Sequence, residues 1–148
     1  AQSVPETLKL PGVMLIMGTQ RRAEIVSLLE DALLRDEPVI AVGDLRNAAF
    51  EPLTVRGSEG RTRATLKIQE GCHNHCAYSI IPSVRGPIRS RPLPEIAGEA
   101  GRLAGAGFQE IVVTGIHLSS YGRDRGGESG LLDALAAING TRASRESV

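Results

Sequence analysis

Short apolar runs alternate with helical patterns along this chain, and the order of the two is informative. Residues 13–17 are continuously apolar and end at Gly18. That pattern predicts a buried strand of an α/β layer. Ile25, Leu28, Leu29, Ala32 and Leu33 follow at helical spacing, with Thr19 as the expected N-cap. Pro5-Glu6 opens a short helix ahead of them, since proline suits a first turn. Residues 36–60 carry Pro38, Gly43, Pro52, Gly57 and Gly60 with little periodicity, which predicts a linker with a short extended piece at 39–42. Residues 64–69 alternate as a strand and residues 82–94 form an irregular Pro- and Arg-rich connection. Residues 94–106 form a helix with Ile96, Ala100, Leu103 and Ala104 on one face. Gly98, Gly101 and Gly105 weaken that helix by about 1 kcal/mol each, and Gly107 is its expected C-cap. A second buried strand covers 110–115, and another helix starts at 131.

From residue 64 the order is strand, loop, helix, strand, loop, helix. That is a parallel βα repeat, the opening of a (β/α) barrel. Two such units do not close a barrel. In this architecture chemistry sits where strands hand over to helices, and the loops 70–92 and 115–130 lie there. The expected division is a first α/β piece over 1–43, a linker over 44–62, and the start of the barrel over 63–148.

Composition changes this picture little. The chain has 148 residues, 41% apolar, with Phe50, Tyr78, Phe108 and Tyr121 as its aromatics. Lys plus Arg equal Asp plus Glu at 17 each, but the charge is uneven. Residues 56–91 carry seven basic and two acidic groups, while both flanks are acidic. Such a patch suits RNA phosphates or a cofactor carboxylate; solvated arginines are the plainer alternative. Arg85, Arg89 and Arg91 either meet such an anion or pair with Glu70 or Glu95. No apolar run reaches membrane length. Two cysteines four apart make no disulfide framework, so a reducing, cytoplasmic setting is expected.

The chemistry concentrates in Gly71-Cys72-His73-Asn74-His75-Cys76-Ala77-Tyr78-Ser79. A third cysteine at 79 would give the spacing that holds a 4Fe-4S cluster by three thiolates with one iron open. Out of context, two cysteines four apart are more often a pair of buried thiols, or a tetrahedral zinc site completed by His73 or His75, than a cluster. Both histidines are expected to be exposed. His117 follows a strand end, facing a cofactor or donating to a backbone carbonyl. Tyr78 contacts a ligand or fills space against Ile80. Ser119 and Ser120 lack a sequence-level partner base, which argues against a serine hydrolase.

The flanks decide between these readings. Residues 63–72, the run Cys76-Ala77-Tyr78-Ser79-Ile80-Ile81-Pro82, the run Arg85-Gly86 to Pro92, and residues 113–122 closely resemble the radical S-adenosylmethionine (SAM) methylthiotransferases. The Gly115-Ile116-His117-Leu118 version resembles most the branch acting on threonylcarbamoyl-adenosine beside the tRNA anticodon. Residues 1–19 resemble the tail of that family's N-terminal domain, whereas 139–148 match no family motif. The resemblance implies a 4Fe-4S cluster and SAM as cofactors and tRNA as partner. It implies Cys72 and Cys76 as cluster ligands, with Ser79 in the place of the third. It implies Tyr78 against the SAM adenine, and Gly115 and Ile116 against its methionine end, with His117 beside them. Arg85, Ser90 and Arg91 fall on the substrate side.

Departures from the family are equally plain. Ser79 replaces a thiolate with a harder, largely protonated ligand, so a cluster here is expected to be labile or absent. The three cysteines of the family's auxiliary cluster have no counterpart, nor do the rest of the barrel and the RNA-binding module. The chain is expected to be an inactive internal piece of such an enzyme, a fragment with exposed sheet edges prone to self-association. The alternative is a non-catalytic fragment binding zinc or RNA.

Overall fold

The computed structural model describes residues 4–7, 10–46, 48–51, 62–127 and 129–143. Much of the expected linker, including Pro52, Gly57 and Gly60, lies outside them, as do 1–3, 8–9 and 144–148.

The first apolar run forms strand β1 (Leu15–Met17), after a one-turn helix α1 (Val4–Thr7). Its partner is β2 (Val39–Ala41), parallel, with Ile16 opposite Ile40. The extended piece expected inside a linker is therefore a sheet strand. Helix α2 (Ile25–Leu33) makes the crossover between them and buries Leu28 and Ala32. Its start differs from expectation. Thr19 is not the cap; a 3-10 turn (Arg22–Glu24) precedes the helix, entered through Arg21 at a left-handed φ of 63°. The Arg21 guanidinium grips Glu24 at 2.7 Å across that turn, a local contact that holds the bend.

The second sheet is mixed, in the order β4-β3-β5. Strand β3 (Arg63–Glu70) pairs in parallel with β5 (Glu110–Gly115), as the βα periodicity predicts. The register slips between Lys67 and Gln69, which brings Gly115 opposite Gln69. The connection after the cysteines is more regular than its prolines suggest. It contains helix α3 (Ile81–Arg85), with Pro82 in its first turn, and strand β4 (Arg89–Ser90), antiparallel to the end of β3. Proline loses no bond in a first turn, and Gly86 at φ 72° ends the helix.

Helix α4 (Leu93–Gly105) carries Ile96, Ala100 and Leu103 onto the sheet. Gly107, at φ 91°, closes it as expected: its amide bonds the Ala104 carbonyl and that of Phe108 the Leu103 carbonyl. Helix α5 (Leu131–Ala143) packs beside α4. The main core is Ala64, Leu66 and Ile68 from one face of β3, Ile96, Ala100 and Leu103 from α4, Tyr121, and Ala134 from α5. The opposite face of β3 carries Thr65 and Lys67, so the chemistry of the sheet is gathered on one side and at its ends.

Candidate site at the carboxyl ends of β3 and β5

β3 and β5 deliver their carboxyl ends side by side, so residues 71–80 and 116–122 start from adjacent points. Gly71 makes the first exit possible. Its φ is 72°, and a Cβ there would run into the Pro87 carbonyl oxygen. The Cys72 amide bonds the Gly86 carbonyl at 3.0 Å, which closes the cysteine loop onto the end of α3. Within the loop the Asn74 amide donates to Cys72 Sγ at 3.3 Å, and the Ser79 amide to the Cys76 carbonyl at 2.9 Å. Cys72 is half-buried and Cys76 exposed, both as free thiols. His73 and His75 are exposed, as expected.

Gln69 was missed by sequence reasoning, and it joins the two loops. Its side chain is fully buried. Nε2 donates to the carbonyls of Glu70 (2.8 Å) and Gly71 (2.7 Å), while Oε1 accepts the His117 amide at 2.7 Å. The sequence signal was a polar residue where a buried strand meets its loop. Gly115 keeps this junction tight, since a Cβ there would crowd Gln69 and Leu118 at 2.9 Å.

Glu70 is a second hub, only 3% exposed. Lys67 meets it at 2.8 Å, Arg85 at 3.1 Å, Arg22 at 3.4 Å and Arg89 at 3.7 Å. Burial pushes its carboxyl up, but the Lys67 hydrogen bond and the charges of Lys67, Arg22 and Arg89 outweigh this and hold it below the ordinary range. Burial lowers the Arg89 guanidinium despite the Glu70 charge. Arg85 and Arg89 thus pair with Glu70, and Arg91 lies 3.7 Å from Glu95. The pairings expected with Glu70 and Glu95 are formed. Arg22, from the 3-10 turn before α2, also bonds Glu51 at 2.7 Å.

Ser90 and Arg91 are buried. The Ser90 hydroxyl bonds Asp124 at 2.5 Å and accepts the Gly122 amide at 2.8 Å. The Arg91 guanidinium lies 6.0 Å from the Phe50 ring centre, and its carbonyl accepts the Tyr121 hydroxyl at 2.6 Å. Tyr78 is 93% exposed and Ile80 is exposed too, so the ring does not fill space against Ile80. Ile116 is exposed. The His117 ring does not donate to a backbone carbonyl; it bonds the hydroxyls of Ser119 (2.9 Å) and Ser120 (2.5 Å).

The donor set decides what the cysteine loop fits. It offers two thiols and one hydroxyl, and Ser79 Oγ already accepts the Ile81 amide at 3.4 Å. A neutral hydroxyl is a hard, poor donor to iron beside a thiolate. These residues do not fit a cluster held by three thiolates. Nor do they converge as a zinc site: among the described residues no three of His, Cys, Asp and Glu are placed to hold a metal ion. The exposed histidines sit on a loop closed by backbone bonds at its ends, not by side chains gathered at a centre.

No family model matches the chain. Individual relatives do. It is 42% identical over 126 residues to the threonylcarbamoyladenosine tRNA methylthiotransferase MtaB of Bacillus subtilis, covering 84% of this chain and 28% of that protein. It is 38% identical over 135 residues to the ribosomal protein uS12 methylthiotransferase RimO of Geobacter sulfurreducens (89% and 30%). It is 36% identical over 138 residues to the tRNA-2-methylthio-N(6)-dimethylallyladenosine synthase of Pelotomaculum thermopropionicum (88% and 30%). The chain thus spans under a third of the length of each. Three relatives named for different substrates align over nearly all of it, and this chain belongs to the methylthiotransferase family.

Proposed function

We propose that this chain is the stretch of a radical SAM methylthiotransferase in which the end of the N-terminal domain meets the first two βα units of the barrel. Its substrate class is tRNA, at a threonylcarbamoyl-modified adenosine beside the anticodon. The observation that carries the reading is the position of the Cys72–Ser79 loop at the carboxyl end of β3, clamped through Gln69 to the loop after β5. The relative acting on threonylcarbamoyladenosine in tRNA, at 42% identity, supports the choice of substrate. Tyr78, Gly115, Ile116 and His117 would receive SAM at these strand ends, with the exposed Tyr78 ring free to stack on a purine.

With Ser79 in place of a thiolate, the chain as it stands does not transfer a methylthio group. Anaerobic reconstitution with iron and sulfide tests this. Ser79→Cys is expected to reach about four irons per chain, and the unaltered chain far fewer. Equal iron in both, or a thioether product from the unaltered chain, would sink the reading.

A further inference from the structure

The seam between the two sheets holds a feature that the cysteine loop does not explain. β1 and β2 are parallel, and their carboxyl ends run out together into Gly18-Thr19 and Val42-Gly43. Open parallel sheets receive ligands just beyond such ends. Helix α3 closes a further side with Ser83, Val84 and Arg85, and Arg22 completes a cleft of about 470 Å³. That is room for a small ligand.

The lining is one-sided in charge. Arg22 and Arg85 line the cleft, and no carboxylate does among the described residues. Each is held from behind: Arg22 by Glu51 and Glu70, Arg85 by Glu70 alone. Arg85 makes a single side-chain bond, to Glu70 Oε1, so its other N–H groups lack a protein partner among the described residues. The Thr19 hydroxyl is buried and also has no partner. Thr19 lines an adjoining hollow of about 400 Å³ together with Arg89, whose side chain is 8% exposed and whose Nε is likewise unpartnered. Arg22, Lys67, Arg85 and Arg89 face only Glu51 and Glu70 here, leaving two positive charges uncompensated. Arg85 (37% exposed), Lys67 (35%) and Arg22 (25%) are partly screened by water, and an anion in the cleft would take the place of that water against the excess positive charge.

We infer that this cleft is a phosphate subsite, taking a phosphate group on the Arg22 and Arg85 guanidiniums beside the Thr19 and Ser83 hydroxyls. A phosphate group presents its oxygens tetrahedrally around one centre, so two guanidiniums and two hydroxyls can approach it from different sides. Gly18 and Gly43 place no side chain in its way. The phosphate belongs either to a nucleic-acid backbone or to a free phosphorylated molecule; the chemistry at the arginines is the same. Iron content plays no part, so this site stands or falls separately from the cysteine loop.

Amide NMR spectra of the full chain test it. Sodium phosphate is titrated at constant ionic strength, and an anticodon stem-loop RNA is titrated separately. Saturable shifts are expected at Gly18, Thr19, Gly43 and the Arg85 Nε, with none from chloride. Arg85→Gln should weaken phosphate binding about tenfold or more. Ser83→Glu, at an exposed position, should abolish it without touching the core; it carries the test should Arg85→Gln fail to fold. RNA moving the same signals, in competition with phosphate, identifies a nucleic-acid backbone as the source. Phosphate saturating while RNA leaves those signals unmoved identifies a free phosphorylated molecule. Shifts that stay linear in phosphate, or saturation unchanged in whichever variants fold, would overturn the site.

Discussion

Glu70 and Gly71 show how much can rest on two adjacent residues. Glu70→Gln leaves four cations around a neutral amide, and breaking a buried pairing of this kind costs about 3–5 kcal/mol. Urea unfolding should show that loss at neutral pH. The carboxyl is held below its ordinary value of 4.5 in the fold. Its contribution is therefore full above that value and lost as pH falls through the lowered one. Acid melting curves of the chain and of Glu70→Gln should accordingly converge at the acid end; parallel curves would contradict the assignment. Gly71→Ala puts a Cβ onto a fixed backbone oxygen at a left-handed φ. A loss of about 3 kcal/mol is expected, with faster amide exchange in residues 72–80. The Cys72, Cys76 and Ser79 spacing was legible because a loop motif is local. The role of Gln69 was not, because its partners are two backbone carbonyls and an amide 48 residues away.

At the scale of elements, periodicity was a sound guide wherever a face is buried. β1, β3, α4 and β5 follow apolar spacing and lay one face on a core, whereas α2 buries only Leu28 and Ala32 of its apolar stripe and α5 has little apolar periodicity although it packs on α4. α3 and β4 have no such signature. One is a five-residue helix with no buried side chain, and the other a two-residue strand, Arg89–Ser90, buried through polar contacts. The sequence around them reads as Pro- and Arg-rich because their order comes from neighbours, notably Asp124 and Gly122 on Ser90. The same holds for the entry to α2, where an Arg21–Glu24 pair replaces the expected hydroxyl cap. Two substitutions test this level. Tyr121→Phe removes the hydroxyl bond to Arg91 and should cost about 1–2 kcal/mol in thermal unfolding. Gly98→Ala, exposed on α4 with open space around the new Cβ, should gain about 1 kcal/mol.

Across the whole molecule the two sheets are unequal. Among the described residues the first buries only Ile16, Leu28, Ala32 and Ala41, and α2 leaves Ile25, Val26, Leu29 and Leu33 exposed. So small a core contributes little by itself. The Arg22 pairs to Glu51 and Glu70 tie it to the larger unit. Arg22→Ala should raise hydrogen exchange in β1 and β2 while leaving β3 and β5 nearly unchanged; equal loosening of both would mean that the sheets open as one. The parallel order of β3 and β5 was readable from the alternation of strand and helix patterns. This inter-sheet tie was not, because it joins charged residues 29 and 48 positions apart without periodicity. The Gln69 amide has a further consequence. One fully buried side chain bonds both the exit of the cysteine loop and the entry of the loop at His117, so a rearrangement of either strains the other. Ordering either loop lowers the entropy left to lose in the other, and the gain is reciprocal: whatever tightens the first for a ligand of the second is itself bound more firmly by the same factor.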